Sequence, residues 1–372
     1  MGGGKIRVLF SNWADEDNFN AQSLNARALA LSLPADRFRS TLFYEKKPDP
    51  RLVGRPQIRL LRIPRRGGSF SMLREALLSQ DIIFRANLTH FTYLYFHLPE
   101  KLRRSTALVD WAEGFIPASL EPLPPRAQKF SDYIMPRIRY RACITEYVAR
   151  KIRDHHGLGF QRIIPVGVER NFFEPFPRKQ RERPGILFVG HLIERKGPQI
   201  VLQAARLFPR AQFILVGGRR GDYYRELYRM AEDWKLENVV FHPPMNHENL
   251  LKIMQQSDIL LHPSLTEGFP KVVLEGAAAA LPAVIFDYYG APGLIEGRTG
   301  FAAANFEEMA ARLGLLLEDR ALRERMGEAA REHARQFDWD FVTRQWVDFF
   351  EDVKNQKVLP LSPGGAREAR IL

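Results

Sequence analysis

Glu267 and Glu275 are two carboxylates eight positions apart in the stretch E-G-F-P-K-V-V-L-E. Just before them, Asp258-Ile259-Leu260-Leu261-His262 is an apolar run of the kind a buried strand needs, and Pro263 and Ser264 end it. Gly268 and Pro270 punctuate a turn, Pro270 suits a helix start because it has no N–H to lose, and Lys271 to Ala280 are good helix formers. This places Glu267 on the loop at the strand's C-terminal end and Glu275 on the second helical turn. At about 1.5 Å per residue, Pro270 and Glu275 lie roughly 7 Å apart along the axis. That span suits a diphosphate with a sugar on one side and a ribose on the other. One carboxylate can hold sugar hydroxyls and the other ribose hydroxyls, with the helix N-terminus facing the negative charge between them.

The elements that position these groups alternate regularly from residue 186 onward. Apolar runs at 186–190, 212–217, 238–241, 258–262 and 282–286 read as strands, and helical patterns fill 197–208, 222–234, 246–256 and 270–280. Continuous apolar strands belong to a parallel sheet covered on both faces, so a doubly wound α/β domain is expected at 186–337, with its ligand site at the strand C-terminal ends. The first 170 residues repeat the pattern less regularly, with strands expected at 6–11, 40–44, 81–84, 106–110, 142–145 and 162–166. Residues 171–185 are rich in proline and charge and read as a linker. Residues 306–336 read as helical, 338–353 as an aromatic-rich helix, and the Pro- and Gly-rich tail 354–372 as disordered.

Other motifs recur in a telling order. They are Val189-Gly190-His191-Leu192-Ile193-Glu194-Arg195-Lys196-Gly197, Phe213-Ile214-Leu215-Val216-Gly217-Gly218, Asn238 to Met245, and Thr299-Gly300-Phe301. With the acidic pair, they resemble the signature of the retaining GT-B glycosyltransferases, group 1 or family 4-like, from about Arg141 to Val353. The resemblance implies a GT-B fold: two Rossmann-like doubly wound domains facing a central cleft, an acceptor-binding domain first and a nucleotide-sugar domain second. It also implies a last helix crossing back to the first domain.

The resemblance implies roles as well. Glu275 would hold the ribose, and Glu267 the donor sugar or phosphate. Lys196 would clamp the diphosphate, with Gly190, Gly217 and Met245 lining the nucleotide and the backbone of Phe269, Pro270 and Lys271 at the sugar. His191 stands where the family has an arginine, so Arg195 is expected to supply the missing charge. Glu113 stands near the place of the family's mid-domain histidine and is the catalytic candidate of the first domain. No metal or cofactor is implied. The triplets Asp15-Glu16-Asp17 and Asp338-Trp339-Asp340 read as a loop and a helix cap rather than metal ligands.

The single cysteine, Cys143, rules out an internal disulfide and reads as a small buried hydrophobe. No apolar run is long enough to span a membrane and no signal-peptide core is present, so a cytoplasmic location is expected. Residues 1–170 carry 28 basic and 16 acidic side chains, whereas 171–372 carry 27 of each, so the whole +12 excess lies in the first half. That asymmetry points to an anionic partner there: a glycan or lipid-linked acceptor. Aromatics 91–98 beside the basic clusters Arg62/Arg65/Arg66, Lys101/Arg103/Arg104 and Arg137/Arg139/Arg141 add an anionic membrane surface to the expected partners. Nucleic acid is not expected, since no RNA-binding signature is present. The function expected is transfer of a sugar from a nucleotide-diphosphate sugar, with retention, in surface-polysaccharide or lipopolysaccharide synthesis. The alternative is a non-catalytic nucleotide-sugar-binding protein of the same fold. The sugar, base, linkage and oligomeric state are not encoded in any motif.

Overall fold

The computed structural model describes residues 4–18, 20–64, 68–85, 90–103, 106–114, 125–176, 182–218 and 221–361. The chain divides into two compact units, Met1–Gly167 with Trp339–Leu372, and Val168–Asp338. Both adopt the doubly wound α/β architecture expected from the apolar runs.

The first unit contains β1 (Ile6–Trp13), β2 (Phe38–Tyr44), β3 (Ile58–Arg62), β4 (Ile82–Arg85), β5 (Ala107–Ala112), β6 (Tyr140–Cys143) and β7 (Arg162–Ile163). They form one parallel sheet in the order β3-β2-β1-β4-β5-β6-β7. One face is packed by Leu9, Ile83 and Leu108 against helices carrying Met72, Phe91 and Tyr95. The other is covered by the helix Trp339–Lys354, whose Trp346 meets Phe84 edge-on at 5.1 Å and Trp111 at 5.2 Å. The aromatic-rich last helix therefore belongs to this unit's core, and its rings explain its composition.

Three expectations change in this unit. The stretch 91–98 is a core helix rather than a membrane-facing one: Phe91, Tyr95 and Phe96 recur on one helical face and are buried, and Arg103 lies over the Tyr95 and Phe96 rings at 5.7 and 5.4 Å. Arg65, Arg66 and Arg104 lie outside the described residues. The tail is ordered through Leu361: the Leu361 amide donates to the Arg139 carbonyl at 2.8 Å, and the Gln161 side chain to the Leu359 carbonyl at 3.0 Å. Residues 362–372 lie outside the described residues. Strand β3 was not expected, because its Ile-Arg-Leu-Leu-Arg sequence is half-exposed at the sheet edge and lacks a continuous apolar run.

The second unit contains β8 (Gly185–Val189), β9 (Gln212–Val216), β10 (Val239–His242), β11 (Ile259–His262), β12 (Ala283–Phe286) and β13 (Gly300–Ala303). Their parallel order is β10-β9-β8-β11-β12-β13. Connections run in opposite directions from β8, so the switch point lies between β8 and β11, where open α/β sheets bind ligands. Residues 168–176, partly in the stretch expected as a linker, fold with this unit: Val168 bridges Asp338 and Phe172 is buried. Residues 306–336 are helical as expected, in two main helices, Phe306–Glu318 and Arg320–Ala334, and Asp319 caps the second by accepting from the Leu322 amide at 2.8 Å.

Candidate functional site

Two loops leave the switch point of the second unit. The first follows β8 and carries Gly190, His191, Arg195 and Lys196; the second follows β11 and carries Glu267, Phe269 and Pro270. Gly197 lets them meet. Its φ is 74°, and a Cβ there would stand 2.1 Å from the Pro263 carbonyl oxygen. Backbone and side-chain bonds then stitch the loops together. The Leu265 amide donates to the Arg195 carbonyl at 2.8 Å, and the Arg195 guanidinium donates to the Thr266 carbonyl at 3.1 Å.

At this junction Lys196 and Glu267, 71 residues apart, form an ion pair with Nζ 2.5 Å from Oε1. The same Oε1 lies 2.9 Å from His262 Nε2 at the end of β11. Both partners converge on one oxygen, and Glu267 Oε2 takes no hydrogen bond from the described residues. Burial alone would push the Glu267 carboxyl up, but the His262 hydrogen bond and the Lys196 charge outweigh it and hold it well below the usual carboxylate range. Burial in turn pushes the His262 imidazole down, against the pull of Glu267, so the ring is neutral and Nε2–H is its donor. The Tyr289 hydroxyl donates to the His262 carbonyl at 3.2 Å, and burial keeps that phenol protonated.

Glu275 is buried on the helix Lys271–Ala278, one turn above Lys271, whose Nζ is 3.4 Å from Glu275 Oε1. Pro270 caps that helix and Lys271 opens it at the end of the β11 loop, where the Lys271 and Val273 amides donate to the Phe269 and Pro270 carbonyls at 2.8 and 2.9 Å. The two glutamates thus sit where the sequence places them, one before and one inside the helix, and each carries a lysine. Such an arrangement can hold a dianionic group: the ligand's phosphates draw the lysines, and the released carboxylate oxygens accept from hydroxyls.

The glycines have a mechanical reason. A Cβ on Gly217, after β9, would fall 1.8 Å from the Gly190 carbonyl oxygen. A Cβ on Gly218 would fall 2.9 Å from His191 Nδ1, so His191 lies against the β9 turn, beside the Gly190–Lys196 loop. Met245 lies in the loop after β10, two strands from β8, and is half-buried. Phe269 packs edge-on to Phe337 with ring centres 6.4 Å apart. Arg195, expected as a phosphate cation, donates one guanidinium N–H to the Thr266 carbonyl and so also braces the two loops.

Glu113 lies in the first unit, after β5, and accepts from the Asn25 side-chain amide at 3.0 Å. The Asp15-Glu16-Asp17 triplet is structural: Asp15 accepts from the Glu45 and Lys46 amides, and Asp17 and Glu16 pair with Lys46 and Lys47. No cluster of metal-binding side chains occurs among the described residues, and no described helix is long and apolar enough to cross a membrane.

His262 is the one residue of the junction that sequence reasoning missed. Its signal was present: a histidine ending an otherwise aliphatic strand, five residues before an acidic turn, is a costly residue to bury without a partner.

Comparisons with known proteins fit this geometry. Residues 169–333 match the family model described as "Glycosyl transferases group 1". The chain is 28% identical over 259 residues to a D-inositol 3-phosphate glycosyltransferase of Paenarthrobacter aurescens, and the match covers 64% of each chain. The chain therefore spans less than two thirds of that relative's length. Among solved structures it is similar to sucrose-phosphate synthase of Thermosynechococcus elongatus, with a TM-score of 0.78 at 19% identity, covering 95% of this chain and 100% of that one. It is also similar to Anabaena HepE solved with UDP-glucose, with a TM-score of 0.76 at 17% identity, covering 93% and 100%. The fold is GT-B, and the resemblance to group 1 glycosyltransferases read from the motifs stands.

Proposed function

We propose that this chain, group 1-like across its second unit, is a glycosyltransferase that moves a sugar from a nucleotide-diphosphate donor to an acceptor. The observation that carries this reading is the Lys196–Glu267–His262 junction at the β8/β11 switch point, with Glu275 one helix turn beyond. In this reading Glu275 takes the ribose hydroxyls and the helix start at Lys271 faces the diphosphate. Lys196 reaches the departing phosphate, and Glu267, held by His262, offers Oε2 to the sugar. Charge moves onto the diphosphate as the glycosidic bond breaks, so a lysine there stabilises the transition state more than the ground state. UDP is the first base to test, because the solved HepE structure holds UDP-glucose.

Retention of configuration follows in this reading from front-side attack. Double displacement needs a carboxylate nucleophile at the anomeric carbon. Glu267 is tied at Oε1 to two partners and held ionised, which suits hydrogen bonding to hydroxyls more than leaving-group exchange. The acceptor is proposed to be anionic, as the basic first half asks, and either a glycan or a lipid-linked molecule of surface-polysaccharide or lipopolysaccharide type. The name of the Paenarthrobacter relative supports the anionic part of that reading, since it specifies a phosphorylated polyol. Glu113, oriented by Asn25, is the first-unit group proposed to contact the acceptor. The location proposed is cytoplasmic, where nucleotide sugars are made.

A thermal-shift screen against UDP-, GDP-, ADP- and dTDP-sugars tests this directly, since a ligand that binds the native state raises Tm. One class should raise Tm, and Glu275→Ala should weaken that class at least severalfold. Unchanged affinity in Glu275→Ala removes the ribose assignment. A shift without transfer to any acceptor favours the non-catalytic alternative.

A further inference from the structure

The first unit buries charge that it does not balance. Arg85 ends β4, Asp110 lies in β5 and Arg141 in β6, and the strand register sets Arg85 beside Asp110 and Asp110 beside Arg141. All three are nearly fully buried. Arg85 Nη1 is hydrogen-bonded to Asp110 Oδ1 and lies 3.7 Å from the Met135 sulfur. Arg141 spends its Nη groups on the Met135 and Gly159 carbonyls. Arg85 Nε, Arg141 Nε and Asp110 Oδ2 find no partner among the described residues. One carboxylate therefore faces two guanidiniums. Burial also pushes the Asp110 carboxyl up and the Arg141 guanidinium down, as expected where charge is incompletely compensated.

The position is as informative as the charge. Ile83 and Leu108 belong to the apolar cluster on the same side of the sheet, and Arg85 and Asp110 follow them by one full pleat. The interior turns from aliphatic to ionic at Arg85, the last residue of β4, and at Asp110 and Arg141, two residues before the ends of β5 and β6; open α/β sheets take their ligands beyond those ends. Ser11, one residue past the Phe10–Phe84 pairing of β1 and β4, brings a buried hydroxyl without a partner to the same level. A purely structural triad would cost desolvation at three groups and leave donors unused.

We propose that Arg85, Asp110 and Arg141 form an oxyanion site of the first unit, which takes a phosphate or carboxylate group. Arg85 is its donor, Arg141 adds the second positive charge, and Asp110 keeps the two guanidiniums together when the site is empty. That the oxyanion belongs to the acceptor rests on the transferase reading; the site itself does not.

The test is the melting temperature of the full chain in sodium phosphate and in sodium glucuronate, against sodium chloride at equal ionic strength. The proposal expects a saturable rise with phosphate, glucuronate or both, and the better of the two identifies the group. Arg85→Met should weaken the response by about tenfold or more. Asp110→Asn removes the carboxylate that compensates both guanidiniums, so its Tm should depend more steeply on the anion than the wild type's. Lys196→Met should keep the part of the response that Arg85→Met loses. A wild-type response no larger than that to chloride overturns the site. So does a response kept in Arg85→Met and lost in Lys196→Met, which places the anion in the second unit. Where Arg85→Met does not fold, Asp110→Asn decides: a steeper dependence supports the site, and an unchanged one overturns it. A UDP-glucose titration in parallel reads the transferase proposal separately, because Arg85→Met should leave it intact.

Discussion

At the residue scale, the account rests on one oxygen atom. Glu267 Oε1 receives both Lys196 and His262, and that convergence fixes the side chain while leaving Oε2 for a ligand. His262→Phe removes one partner, leaves the carboxylate buried beside an apolar ring, and should cost about 1–3 kcal/mol in stability and weaken donor binding. His262→Gln, whose amide can donate from a similar place, should recover much of the loss. Donor titration and chemical denaturation of both variants check this, and equal behaviour of Phe and Gln would remove the positioning role. The convergence on one oxygen was not legible beforehand, although a histidine ending an aliphatic strand was a signal of it. The pair Lys196–Glu267 is separated by 71 residues, and no spacing rule connects a lysine after one strand to a glutamate after another. What the sequence did reveal was the local half: a carboxylate before a proline-started helix and a second one inside it. The glycine turns were legible as turns, but their reason is contact. Gly217→Ala should destabilise by several kcal/mol, because its Cβ meets the Gly190 backbone at 1.8 Å and neither chain can give way easily. A variant that melts like wild type contradicts that contact.

At the scale of elements, strands buried on both faces announced themselves, whereas two of the edge strands, β3 and β13, did not. Strands β8, β9 and β11 are aliphatic runs and were expected within a residue or two. Strand β13 is Gly-Phe-Ala-Ala, with no β-branched residue, and stays a strand because Gly300 lets it lie against Ala283, whose carbonyl oxygen a Cβ would meet at 2.2 Å. Tertiary contact decided that element. Asp81, just before β4, ties three elements of the first unit together. Arg7 of β1 donates its amide to Oδ2 at 2.9 Å and its guanidinium to Oδ1 at 3.1 Å, and Lys354 at the end of the last helix reaches Oδ1 at 2.7 Å. Burial alone would push this carboxyl up, but the Arg7 and Lys354 bonds outweigh it and bring it to about 2. The folded value lies below the unfolded one, near about 3.9, so the stabilisation is complete above the unfolded value. It is lost as pH falls from about 4 towards 2. Asp81→Asn should cost about 1–3 kcal/mol at neutral pH and flatten the acid limb of a stability–pH curve. An unchanged acid limb would show that Asp81 is not a principal acid-sensitive tie.

At the scale of the whole molecule, the chain enters the first unit, passes through the second and returns. The return is the helix Trp339–Lys354, and its Trp346 and Phe350 close the face of the first sheet over Phe84. Trp346→Ala should cost about 3–5 kcal/mol. Native-state hydrogen exchange should show that loss in β1, β4 and β5 and leave β8 and β11 protected; equal loss in both units would mean that they unfold together. The composition set the two halves apart before the fold did: all excess positive charge lies before residue 171. Which of those charges are buried was hidden, because a buried arginine reads in sequence like an exposed one. Measuring where a donor binds tests the whole account most directly. A crystal of the full chain soaked with UDP-glucose should show the ribose on Glu275, the diphosphate at Lys196 and the start of the helix Lys271–Ala278, and the sugar beside Glu267. Ordered donor density away from the β8/β11 switch point would contradict the account.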